Sequence, residues 1–171
     1  MLKSALIALA FGSTLTIGSQ PSAYGMEFGS VDAGNNSLII TMQGKIVRGD
    51  TVKLRQFLQT LPATAGIGAW AMNSPGGVVN EAVQMREVIL KTGAMTLLPD
   101  DMTCASACLW LFAAGKSRMM VSTAQLGVHG TQDEQGKEAP EGTVLSARLA
   151  KQIGIPDSVI AAMVTTPPDV G

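Results

Sequence analysis

The sequence predicts an α/β fold of repeated β-α units, with a mainly parallel sheet covered by helices. Three observations carry that expectation. Short β-branched or apolar runs of strand length alternate with longer segments whose apolar residues recur at helical spacing. Most strands end in a turn signal. Hydrophobic residues make up 46% of the 171 residues and charged residues 15%, enough for one packed core. Aromatics are only 4%, while Ala, Gly, Val, Leu and Met are plentiful, which suits close helix-on-sheet packing.

The elements follow in order. Residues 26–36 read as an irregular lead-in, and Ser37 to Met42 as the first strand. Gly49-Asp50 then offers a cap for a helix in which Val52, Leu54, Phe57, Leu58 and Leu61 share a face, and Pro62 stops it. Ile67 to Met72 is a buried strand closed by the turn Asn73-Ser74-Pro75-Gly76-Gly77. Val79 to Thr92 is a helix with an Ala82, Met85, Val88, Ile89 and Leu90 stripe, ended by Gly93. Met95 to Leu98 is a short strand. Ala105 to Ala114 is too long an apolar run for an ordinary strand and reads as a buried helix. Arg118 to Val121 and Leu126 to His129 are two further strands, followed by a polar surface loop over Thr131 to Gly142. Thr143 to Gly154 and Asp157 to Val164 are closing helices. The tail from Thr165 adds no packed element, as in a chain cut short. Strands alternating with helices imply βα units and a parallel sheet.

The first 25 residues have the pattern of an export signal: a basic start at Lys3, an uncharged apolar stretch from Ala5 to Ile17, and small residues at Ala23 and Gly25 before a cleavage point. The expected organisation is a signal peptide over 1–25 and a single domain over 26–171, in a periplasmic or secreted protein. Losing the segment removes Lys3 alone among the charges and takes the net charge from −1 to about −2. Lys and Arg are scattered, which argues against a nucleic-acid partner. Cys104 and Cys108 could pair in an oxidising compartment, provided that Cys104 lies before the helix that carries Cys108. Two Cys and one His are too few for a closed zinc site unless a carboxylate joins them, and no metal or other cofactor is expected.

Three local features carry chemistry. Ser74-Pro75-Gly76-Gly77 lies between a strand and a helix, where backbone N–H groups and the helix dipole favour negative charge. Ser106 opens an apolar helix after a strand and could present its hydroxyl at a cleft, although taken alone a serine there is more often a helix cap. His129, the single histidine, ends a strand and is the side chain suited to take a proton near neutral pH. A serine needs a base within reach to act as a nucleophile.

In order and spacing, Asn73-Ser74-Pro75-Gly76-Gly77, Ala105-Ser106-Ala107 and Gly127-Val128-His129 resemble the proteolytic subunit of the Clp protease, of the ClpP/crotonase fold group. The likeness covers about residues 37–130. The S-P-G-G turn is also similar to that of the signal peptide peptidase A-like proteases. The resemblance implies Ser106 as nucleophile, His129 as general base, and the N–H groups of Gly77 and Ala107 as oxyanion donors. It implies Asp169 as the acid that orients the imidazole, with Asp157 as the alternative, although Asp157 suits a helix cap better. Lys116, the nearest lysine after Ser106, lies past the end of the helix and is a poorer base. The family assembles into rings fed by an ATP-driven unfoldase. For an exported chain no such ATPase partner is expected, a homo-oligomer is left open, and the substrate would be a peptide or unfolded protein. The expected function is an ATP-independent serine peptidase; the alternative is a catalytically inactive peptide-binding module of the same fold. The Cys-Ala-Ser-Ala-Cys setting departs from the cytosolic family and admits a structural or a redox role for the pair.

Overall fold

The computed structural model describes residues 25–133 and 135–168. All but the last residue of the expected signal segment, and Asp169, lie outside the described residues.

The elements run β1 (Glu27–Asp32), β2 (Ser37–Gln43), α1 (Asp50–Gln59), β3 (Gly66–Asn73), α2 (Val79–Thr92), β4 (Met95–Leu98), β5 (Thr103–Ala105), α3 (Cys108–Phe112), β6 (Arg118–Met120), β7 (Gln125–Gly127), α4 (Pro140–Gln152) and α5 (Asp157–Thr165). Five strands form one sheet in the order β1-β2-β3-β4-β6, and β5 pairs with β7 in a second, two-stranded sheet. Every pairing is parallel except β1 with β2. The predicted α/β class with a mainly parallel sheet therefore holds.

The main sheet is centred on β3, whose run Ala69, Trp70, Ala71 and Met72 is buried without alternation. Such a run marks a parallel strand covered on both faces. Ile40 and Met42 on β2 join it, with Leu54 from α1 and Ala82, Met85 and Ile89 from α2. The stripe expected on α2 is thus the one that packs, except for Leu90, which is exposed, and Gly93 closes that helix in a left-handed cap.

Two expectations are corrected. Residues 26–36 are not an irregular lead-in. Glu27 to Asp32 pair residue for residue with Leu38 to Gln43, across a turn in which Gly34, Asn35 and Asn36 all have positive φ. The run Ala105 to Ala114 is not one helix. Its first residue ends β5, and the regular helix spans only Cys108–Phe112. A β-bridge from Ser74 to Cys104 draws this stretch into sheet pairing before the helix can start. Smaller shifts occur elsewhere: α4 begins at Pro140 rather than Thr143, and the polar loop before it folds back through a bridge between Gln132 and Glu138.

At the start of α1 the expected Gly49-Asp50 cap takes another form. Gly49 occupies the cap position without a side-chain bond. The buried Asp50 carboxylate instead accepts the N–H groups of Met26 (3.1 Å) and Val47 (2.7 Å). Glu81 reaches from α2 to the N–H of Thr51 at 2.6 Å. Burial pushes the Glu81 carboxyl up, but hydrogen bonds from Thr51 and Gly49 outweigh it and hold the group below its ordinary value.

Candidate active site

The serine sits on a strained corner. Ser106 has φ of +53°, in the left-handed region that a residue with a Cβ rarely occupies. Strain of this kind costs about 1–3 kcal/mol and persists only where neighbours over-determine it. Here they do. Ser106 N donates to Gly127 O at 2.9 Å, and Ser106 O accepts from Leu109 N at 3.0 Å. Ala105 N donates to Ser74 O, and Ser74 N to Thr103 O. A disulfide joins Cys104 on β5 to Cys108 at the start of α3, with the two Cα atoms 5.2 Å apart. The pairing needs Cys104 ahead of the helix, as anticipated, and β5 puts it there. Ala107, not Ser106, is the cap residue of α3, so the serine is not a helix-capping side chain.

The Ser-Pro-Gly-Gly turn packs directly on this corner. A Cβ at Gly76 would lie 2.5 Å from Ala105 O, 2.7 Å from Ser106 Cβ and 2.9 Å from Ala107 N. With φ of +91°, that position can only be glycine. Ile46 holds the turn from the other side: its N donates to Gly76 O, its O accepts from Val78 N, and it bridges Gly77. The N-terminal end of α2 begins two residues later.

Ser106, Ala107 and His129 line one small cavity of about 20 Å³ that is partly open to solvent. Sequence order alone does not bring the serine and histidine to one place; the β5–β7 pairing does, setting Ala105 opposite Gly127. His129 is half-buried, and its Nδ1 lies 2.6 Å from Gly130 O. Lys116 is tied to Ala94 at the opposite, N-terminal end of β4. Asp157 is the first residue of α5 rather than its cap, and pairs on the surface with Lys151. Asp157 is not among the residues that line the cavity of Ser106 and His129.

The remaining walls were not foreseen from the sequence. Val79, Trp110, Val128 and Met163 make the cavity largely apolar, and Thr131 and Ser146 add hydroxyls. Trp110 lies one helical turn beyond Ser106, a spacing that offered a clue. Ser146 and Met163 come from α4 and α5, and nothing local in those helices marks them. Among the described residues no group of three or more His, Cys, Asp or Glu is placed to hold a metal ion.

No protein-family model matches the chain, and no curated protein matches it. Solved structures do. The 1510-N membrane-bound stomatin-specific protease superposes with a TM-score of 0.58 at 14% identity, covering 73% of this chain and 67% of that one. DspI of Pseudomonas aeruginosa superposes with a TM-score of 0.53 at 13% identity, covering 85% of this chain and 64% of that one. An enoyl-CoA hydratase/isomerase family protein from Silicibacter pomeroyi gives 0.45 at 13% identity, covering 84% of this chain and 78% of that one. The chain has the ClpP/crotonase fold. It spans about two thirds of the length of the first two.

Proposed function

We propose that the chain is an exported, ATP-independent serine peptidase in which Ser106 is the nucleophile and His129 the general base. The observation that carries this reading is the left-handed Ser106 corner, which shares a cavity with the single histidine of the chain. A strained serine at a strand-to-helix junction is how a hydroxyl is raised out of a backbone toward a bound carbonyl. The likeness in fold to a stomatin-specific protease supports the reading. The Cys104–Cys108 disulfide supports an oxidising compartment, and so an exported protein.

An extended peptide lies as an added strand beside the Gly76-Gly77 turn. Ser106 Oγ bonds to the scissile carbonyl carbon as its proton passes to His129, and the carbonyl electron pair moves onto oxygen. The N–H groups of Gly77 and Ala107 receive that oxyanion. The C–N bond then breaks, and His129 returns the proton to the leaving amine. Water, activated by the same imidazole, releases the acyl group and restores the serine.

The test is labelling with a fluorophosphonate probe together with cleavage of an unfolded protein substrate. Wild-type protein is expected to be labelled and to cleave. Ser106→Ala should lose labelling entirely and hydrolysis by about 10³-fold or more. Labelling that survives in Ser106→Ala, or a peptide that binds the wild type and stays intact, overturns the assignment. The latter result would mark a binding module instead.

A further inference from the structure

We propose that the His129 imidazole is oriented by the main-chain carbonyl of Gly130 in place of a carboxylate, and that Thr143 is the positioning residue that fixes this carbonyl. The inference rests on the hydrolase reading above and concerns how its base is held.

Nδ1 of His129 lies 2.6 Å from Gly130 O, a short contact. A carbonyl oxygen only accepts, so Nδ1 carries the proton. Nε2 then keeps its lone pair, which is the tautomer a general base requires. Gly130 C=O and Thr131 N–H belong to one planar peptide unit. Thr131 N donates to Thr143 Oγ1 at 2.8 Å, so the hydroxyl of Thr143 sets the direction in which the carbonyl points. Thr143 is buried on α4, and its own hydroxyl donates to Ala139 O at 3.3 Å. Thr131 Oγ1 reaches the same oxygen at 2.8 Å. The peptide on the other side of Gly130 is pinned as well, since Gly130 N donates to Thr166 O at 2.9 Å. A Cβ at Gly130 would lie 3.2 Å from Thr143 Oγ1 and 3.6 Å from Thr166 O, so the two closing helices meet directly over this residue.

A carboxylate would do two things for the imidazole: fix its tautomer, and balance the charge it acquires. The carbonyl does the first and contributes only a dipole to the second. Donation from Thr131 N–H to Thr143 strengthens that dipole. Asp169 is then not required for the tautomer.

His129 is the single histidine, so a long-range ¹H–¹⁵N spectrum of the whole protein reads its tautomer without ambiguity. The Nδ1–H form is expected in the wild type near neutral pH. Thr143→Val should shift the ring toward the Nε2–H form that a free imidazole prefers. It should also lower kcat by about 10- to 100-fold with KM little changed, and Thr143→Ser should restore both. Asp169→Asn is expected to lose less than about tenfold, whereas loss of an orienting carboxylate costs about 10⁴-fold. An Nε2–H ring in the wild type, or a loss near 10⁴-fold in Asp169→Asn, overturns the proposal. These two measurements decide it even if Thr143→Val fails to fold. Absence of labelling and cleavage with the Nδ1–H form intact overturns the hydrolase reading and not the tether.

Discussion

Ser106 and His129 face the same cavity but are held there by unlike means. The serine is held by short-range, mostly main-chain constraints: the β5–β7 pairing, the bridge to Ser74, the disulfide, and a glycine pressed against its Cβ. These lie in the buried core, with Cys104, Ala107 and Cys108 all fully enclosed. The histidine follows a three-residue strand and owes its placement to hydroxyls and a helix end from the last third of the chain. Those helices close one side of the core, where Ala150 and Met163 are buried and Leu149, Val159 and Ile160 pack partly buried against it. The difference teaches that the nucleophile is part of the folding core, whereas the base is set by polar contacts that can change without unfolding it. Damage on the serine side should therefore cost stability and activity together. Damage on the histidine side, as with Thr143→Val, should cost activity first.

The largest effect is expected at Gly76. Alanine there meets main-chain atoms of Ala105 and Ala107, which cannot move without breaking the pairing that positions the serine. Overpacking and an unfavourable φ together should cost about 3 kcal/mol or more. The melting temperature should fall by roughly 10 °C, with loss of probe labelling. Calorimetry and labelling on one sample check this. A Gly76→Ala protein that melts normally would break the distinction between the two sides of the site.

The disulfide sharpens the same comparison. Removing it with Cys104→Ser and Cys108→Ser together should destabilise by roughly 2 kcal/mol, as expected for a short closed loop. Labelling should slow severalfold rather than vanish, because hydrogen bonds and Gly76 still hold the corner. Reductant on the wild type should reproduce both changes and leave the His129 tautomer untouched. A labelling rate that rises on reduction would show the disulfide distorting the serine instead of holding it.

What the sequence revealed, and what it hid, follows the same division. Helix α2 and strand β4 were legible to the residue, because a periodic stripe and a glycine stop act within one segment. The turn, the serine and the histidine were legible as residue types at element ends. Strand β1 was missed because Gly29, Ser30 and Asp32 are poor strand formers, and the strand exists through its pairing with β2. The hairpin turn itself lies in Gly34-Asn35-Asn36, three residues suited to positive φ. The break between β5 and α3 was hidden because it depends on Ser74, some thirty residues away. The Thr143 clamp was hidden for the same reason: its buried spacing with Ser146 and Ala150 marks an inward face but not what that face holds.

The smallest predicted effect lies away from the cavity, at the join between α1 and α2, and tests how far the core's main-chain constraints extend. Glu81 holds the start of α1 through Thr51 N, and its carboxyl titrates below its ordinary value in the folded protein. A folded value below the unfolded one means that the native state favours the ionised form. The stability this contributes is fully present above the unfolded value and is lost as pH falls through the lower folded one. Melting temperature plotted against pH should therefore be flat toward neutrality and decline on the acid side of the ordinary Glu range. Glu81→Gln keeps an acceptor for Thr51 N but removes the titration, so its acid decline should be shallower, with a small loss near neutral pH. Parallel curves for the two proteins would show that acid lability arises elsewhere.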